Sequence, residues 1–417
     1  MDPTPVPLER RRRPLLYGAL VTGTLAAVAA AGWVLLSPSP LLHRQVAAGT
    51  TQPTESMSRP ASDAPVQPAK LRPAPTPEAP ARRVQGRVRD GETGIPLRGV
   101  SVWAAGTETL TDEEGRFATE PIKPGSVVII KTPGYAARRL PAGEGEMTVT
   151  LAPKVVRAAY LTYYGIGDKV IRERVLELVA RTELNAVVID TRTGKPWTDR
   201  ENLAWVDPFR EENWDYLIAV AKEAVAKGFD EVQFDYVRFP TDGKLSAAKY
   251  SQANNSQTRL PAIAAFLARA RRELAPLGVF VAADVFGYTA FNENDTDIGQ
   301  RVEELAAHLD YICPMVYPSG YHRGIPGVRN PVAQPYEIVK ESVRLTRKRA
   351  APAPTVVRPW LQDFKDYAFD KRIFGVAEIK AQLRGAKDGG AVGYMLWNPK
   401  NDYTGAALRQ KGSLAAR

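Results

Sequence analysis

From Arg157 onward, short apolar runs alternate with helical stripes, and this alternation limits the chain to few architectures. The strand-like runs are AAYLTYY (158–164), AVVIDT (186–191), VQFDYVRF (232–239), VFVAADVFG (279–287), YICPMVYP (311–318), TVVRPWLQDF (355–364) and AVGYMLWNP (391–399). Between them, Trp214, Leu217, Ile218, Ala221, Ala224 and Val225 mark a helix, with Asn213 expected as its N-cap and Gly228 as its stop. Ile263, Phe266, Leu267, Ala270 and Leu274 mark a second stripe, and Ile298, Val302, Leu305 and Leu309 a third. Further helices are expected near 169–182, 336–349 and 376–388. Repeated β-then-α units predict an α/β fold, a (β/α)8-type TIM barrel over 154–412. Only seven strands are visible. After Asp190 the chain runs to the next helix without the expected helix–strand unit, so a barrel lacking one unit is predicted.

The first 153 residues follow other rules. A basic tail (1–14) precedes an uncharged apolar run, 15–36, whose 22 residues would make a helix of about 33 Å, enough for a bilayer core of about 30 Å. The basic flank predicts a single pass through the cytoplasmic (inner) membrane with the C-terminal domains outside, periplasmic or extracellular. Secretion after cleavage near Ala29–Ala31 is the alternative. Residues 37–83 hold 10 of the 34 prolines and no sustained apolar period, which predicts a disordered tether. Residues 84–153 alternate in short strands punctuated by Gly94, Gly99, Gly115, Gly125 and Gly134, which predicts a small β-sandwich.

Composition removes several classes of function. One cysteine, Cys313, excludes an internal disulfide, and three scattered histidines give no paired-histidine metal site, so neither metal nor cofactor is expected. The net charge of +10 is spread over helix faces and the membrane-proximal tail, so no nucleic-acid partner is expected. Phosphate-cradling glycine loops and GxSxG are absent.

In barrels of this type, reactive groups gather at the C-terminal strand ends. In VQFDYVRF, strand alternation places Val232 and Phe234 under the helices and turns Gln233 and Asp235 toward the barrel mouth. Asp284 ends the next strand. Two carboxylates on adjacent strands are the minimum equipment for cleaving a glycosidic bond, one donating a proton and the other attacking or activating water. Asp190 and Asp363 are further strand-end acids. Tyr160, Tyr236, Tyr317, Trp360 and Trp397, with Arg238, Gln362 and Asn398 nearby, fit a carbohydrate groove.

The segments GFDEVQFDYVRFPTDG, TELNAVVID, LAWVDP, ADVFG, PMVYPSGY, RPWLQDF and GYMLWN resemble the putative glycosyl hydrolase domain family over nearly all of 157–404. That resemblance implies hydrolysis of a polysaccharide, with Asp235 as nucleophile and Asp284 where such barrels place the acid/base. The stretch VQGRVRDGETGIPLRGVSVWAAGTETLTDEEGRF resembles the carboxypeptidase regulatory-like (prealbumin-like) domain, which implies a spacer or interaction module. The missing unit leaves a second reading open: a non-catalytic carbohydrate-binding or envelope-scaffold protein.

Overall fold

The computed structural model describes residues 80–411 apart from 144, 190–196, 199–203 and 242, with no side-chain description at 163, 164, 197, 198 and 204. The expected membrane span, the basic tail and nearly all of the tether lie outside the described residues, as does Asp190. Among the described residues, no helix is long and apolar enough to cross a membrane.

Seven short strands come first: β1 (Gln85–Asp90), β2 (Ser101–Ala104), β3 (Thr107–Leu110), β4 (Arg116–Ala118), β5 (Val127–Lys131), β6 (Arg138–Pro141) and β7 (Met147–Leu151). They form two sheets, ordered β4-β1-β7 and β3-β2-β5-β6. Period-two alternation sends Val88, Val102, Val128, Ile130, Val149 and Leu151 into one apolar core shared by both sheets.

The second part runs β8 (Arg157–Leu161), α1 (Tyr163–Gly167), α2 (Lys169–Arg181), β9 (Ala186–Ile189), a hairpin of β10 (Trp197–Thr198) and β11 (Ala204–Trp205), α3 (Glu211–Ala226), β12 (Glu231–Phe234), α4 (Ser256–Leu274), β13 (Phe280–Phe286), α5 (Val302–Ala306), β14 (Tyr311–Met315), α6 (Pro335–Ala350), β15 (Val356–Val357), β16 (Trp360–Gln362), α7 (Val376–Gly389) and β17 (Tyr394–Trp397). All but the hairpin strands join one parallel sheet, ordered β12-β13-β14-β16-β17-β8-β9, with β15 also on β14. β15 and β16 thus make one interrupted stave, so the curled sheet has seven staves. Among the described residues no strand joins β9 to β12, and residues 190–196 and 199–203, where a missing helix–strand unit was expected, lie outside the described residues.

Two helix expectations shift. α3 begins two residues before Asn213, whose side chain instead donates to the Asp207 carbonyl at 2.9 Å and ties the incoming loop to the first turn. Of the third stripe only Val302–Ala306 is α-helical; Ile298 and Leu309 reach the core from the flanking loops.

Alternation along β13 sorts the sheet's two sides. Val281, Ala283 and Val285 pack beneath the helices, whereas Phe280 and Ala282 join Tyr311, Cys313, Trp360 and Met395 on the concave side. Gly393 opens β17 with φ +84, and a Cβ there would lie 1.9 Å from the Val156 carbonyl oxygen, so only glycine fits.

The sandwich is no free spacer; it sits on the foot of this sheet. Lys131, fully buried at the end of β5, donates at 2.7 Å to both the Val279 carbonyl and Asp310 Oδ2, and lies 5.2 Å from the Phe280 ring. Arg271 bridges Glu108 (2.8 Å) and Asp310 (3.4 Å), and the Gly134 amide donates to the Tyr311 hydroxyl at 3.0 Å. Trp103 and Ile129 bury apolar surface against Ala275 beside these bonds. Just above, the buried Arg358 pairs with Glu231 and lies 4.1 Å from the Tyr311 ring. The strand starts are therefore covered, and the opposite strand ends carry the acids.

Candidate active site

Asp284 lies near the C-terminal end of β13, on the concave side by the alternation that places Phe280 and Ala282 there. It is 4% exposed, and the two side chains that donate to its carboxyl are uncharged. Gln233 Nε2, from the neighbouring β12, and Trp360 Nε1, from β16 at 2.7 Å, donate to the same oxygen, Oδ1. Burial, and then the charge of Asp235, push the Asp284 carboxyl well above the usual carboxylate range, and the two donors and Arg358 counter this only in part.

Asp235 follows β12 and has the opposite surroundings. It is exposed, and its Oδ1 accepts the Tyr236 amide at 2.7 Å. Tyr236 itself is held at φ +52, a left-handed conformation that β-strand continuation forbids and that costs of order 1–3 kcal/mol for a side chain of this size. The strand therefore ends sharply at Asp235, leaving the carboxylate on the rim rather than in the wall. The Tyr236 ring meets Trp205 edge-on at 5.6 Å, and the Arg238 guanidinium lies 5.0 Å from each of these rings.

A second aromatic group stands at the ends of β14, β16 and β17. Tyr317 stacks on Trp397 at 5.4 Å and 30°, and Phe364 meets both at 5.7 and 4.9 Å. Burial, followed by the charges of Asp284 and Asp235, raises the Tyr317 phenol, which places its hydroxyl within the field of the two acids. Tyr160 meets Trp360 edge-on at 5.9 Å. The structure thus brings together Asp235, Asp284, Gln233, Tyr236, Arg238, Tyr160, Trp360, Tyr317 and Trp397.

Three expected ligand contacts lie inside the wall instead. Gln362 is fully buried: its Oε1 accepts the Ser319 amide at 3.0 Å, and its Nε2 donates to Ser319 Oγ at 2.7 Å and the Phe364 carbonyl at 3.1 Å. Asp363, 2% exposed, accepts the Thr404 amide and hydroxyl at 2.9 and 2.7 Å; burial raises its carboxyl to about 6. Asn398 donates to the Asp363 and Asp402 carbonyls and accepts the Lys400 amide. Their polar atoms are occupied in joining the loops after β14, β16 and β17, so they shape the rim and do not face the groove. Trp205, Phe364 and Tyr367 belong to the rim although none was expected; the aromatic density of the segment FKDYAF is the signal that marks the last two.

No set of three or more metal-ligating side chains occurs among the described residues. The arrangement offers a buried carboxyl that holds its proton more tightly than usual and an exposed carboxyl near it, beside two aromatic groups, and a carboxyl pair is the equipment that acid-assisted cleavage at an acetal carbon uses.

The family described as "Putative glycosyl hydrolase domain" matches residues 190–403. No curated protein matches the chain. Among solved structures, the PgaB (BpsB) glycoside hydrolase domain of Bordetella bronchiseptica shares 13% identity over 51% of this chain and 64% of its own, with a TM-score of 0.34. The Bacillus megaterium spore cortex-lytic enzyme SleL shares 11% over 64% and 75%, with a TM-score of 0.41. The Chromobacterium violaceum chitinase shares 14% over 63% and 100%, with a TM-score of 0.39. At these scores none of the three bears on what this chain does.

Proposed function

We propose, on the premise that this chain belongs to the putative glycosyl hydrolase domain family, that it hydrolyses glycosidic bonds of a polysaccharide with Asp284 as proton donor and Asp235 as the ionised partner. The observation that carries this reading is the contrast between the two acids: one buried, with its carboxyl pushed well above the usual range, the other exposed at a strained strand end. With both donors on Oδ1, the Asp284 proton resides on Oδ2, from which it passes to the oxygen of the departing sugar as the C–O bond breaks. Asp235 attacks the anomeric carbon, or removes a proton from the water that does, and the anomer first released, read by NMR, separates these two courses. Tyr236, Tyr317 and Trp397 supply flat apolar faces on either side of the cut.

Release of reducing ends from polysaccharides by wild type, and its loss in Asp235→Asn and in Asp284→Asn with glycan binding retained, is the test. Binding by wild type without any release would instead assign the chain a carbohydrate-binding scaffold role, the reading favoured by the lack, among the described residues, of a strand between β9 and β12.

The reading extends to location: the basic-flanked apolar run 15–36 anchors the enzyme in the cytoplasmic membrane with the barrel outside. Retention in carbonate-washed membranes, with the barrel open to protease added to spheroplasts, is the expected result; release of a shortened chain into the medium would mean cleavage.

A further inference from the structure

The loop 363–375 after β16 is anchored like a core segment, yet it presents a large ring to solvent. Asp366, 2% exposed, accepts Ser319 Oγ at 2.7 Å and the amides of Ala368, Phe369 and Lys371 at 3.1, 2.9 and 2.9 Å. Burial alone would raise this carboxyl, but the Ser319 hydroxyl and the three amides overcome it and hold it at about 2. Inside this anchored turn Tyr367 is 53% exposed. Its ring lies nearly parallel to Phe364, at 8° and 6.3 Å, and His322 meets it edge-on at 6.4 Å.

An exposed aromatic on a mobile tip needs no explanation, because it can fold back and bury itself part of the time. Here the four-donor anchor on Asp366 fixes the backbone of the turn, so the loop does not fold back to cover the ring, and its exposed half carries a cost in apolar hydration. Its position also continues a line. Phe364 meets the stacked pair Tyr317 and Trp397, the Tyr317 phenol feels the charges of the two acids, and Tyr367 stands one ring beyond Phe364. Each step is comparable to the width of a pyranose ring. A flat apolar face rigidly offered at ring spacing suits the C–H face of a sugar, with the exposed His322 able to hydrogen-bond a hydroxyl at its edge.

We propose that Tyr367, backed by Phe364 and edged by His322, is a distal stacking subsite for a sugar unit remote from the cleaved bond, so that the substrate is an extended glycan and not a di- or trisaccharide. This inference rests on the hydrolase reading for its position but not for its detection. The probes are β-1,4-linked glucose and N-acetylglucosamine oligomers of three and six units, together with soluble hydroxyethylcellulose and glycol chitin. In the full chain, Tyr367→Ala lowers the hexamer-to-trimer ratio of kcat/KM about tenfold, and Tyr367→Phe, which keeps the ring, restores it. An unchanged ratio in Tyr367→Ala overturns the inference while leaving the hydrolase reading intact. Should wild type cleave none of the probes, the hydrolase reading fails on them, and native gels cast with the two polymers decide the subsite. Retardation of wild type that Tyr367→Ala loses and Tyr367→Phe keeps supports it; equal retardation, or none for wild type, overturns it.

Discussion

The indole Nε1 of Trp360 donates to Oδ1 of Asp284 at 2.7 Å, linking two strands that are separated by β14 across the concave side of the sheet. Because Gln233 donates to the same oxygen, the carboxyl is held by one end and rotates with neither partner. Its other oxygen, Oδ2, is the one to which the proposed function assigns the proton.

A donated hydrogen bond stabilises the ionised form, so its loss raises the carboxyl further. In Trp360→Phe the alkaline limb of kcat/KM moves up by about one pH unit, as the loss of a hydrogen bond to a charged group requires. A merely structural role for Trp360 would lower activity at all pH values without moving the limb.

Removing the neighbouring charge has the opposite sign. Asp235→Asn lowers turnover by roughly 10²–10⁴-fold and also lowers the Asp284 titration, since the Asp235 charge is the second-largest cause of its elevation. Carboxyl-selective 13C NMR reads this second effect directly. An Asp284 signal that titrates at the wild-type pH would mean that the two acids do not share a field.

Lys131→Met leaves Asp310 facing the interface with one cation fewer, and breaking such a buried pair costs about 3–5 kcal/mol. Urea unfolding followed by tryptophan fluorescence and by circular dichroism should show one coincident, earlier transition. Two separated transitions would show that sandwich and barrel are energetically independent.

Asp366 has a folded pKa below its ordinary 3.8, so the stability it contributes is fully present above that value and disappears as the pH falls toward about 2. The melting-temperature gap between wild type and Asp366→Asn is therefore widest above pH 4 and closes in stronger acid. A gap independent of pH would mean that the anchor works through shape alone.

Gly393→Ala combines a left-handed φ with a Cβ against the Val156 carbonyl, and the expected loss is about 2 kcal/mol or more in the same urea assay. No change would mean that β17 starts elsewhere.

The seven staves among the described residues were legible because each is an apolar run with turn or helix signals at its ends. Alternation also reports facing correctly for Gln233 and Phe234, which sit within a strand. It does not report depth beyond a strand end. Gln362, the last residue of β16, and Asp363 and Asn398 just past their strands are buried by Ser319, Gln382, Thr404 and Asp402, brought in by α7 and by other loops. Lys131 shows the same limit at greater range. A lysine closing the run SVVIIKT reads as a solvated strand end, and only the arrival of Asp310, 179 residues away in sequence, shows why it is buried.

That lysine has a bearing on how such chains change over generations. Small sandwich modules are readily shuffled between genes when their surfaces are indifferent to their neighbours. Here a replacement module lacking a cation at the end of its fifth strand would leave Asp310 poorly compensated in a dry joint. The donor and its acceptor must be inherited together, and recombination between the two parts is disfavoured wherever this joint is kept.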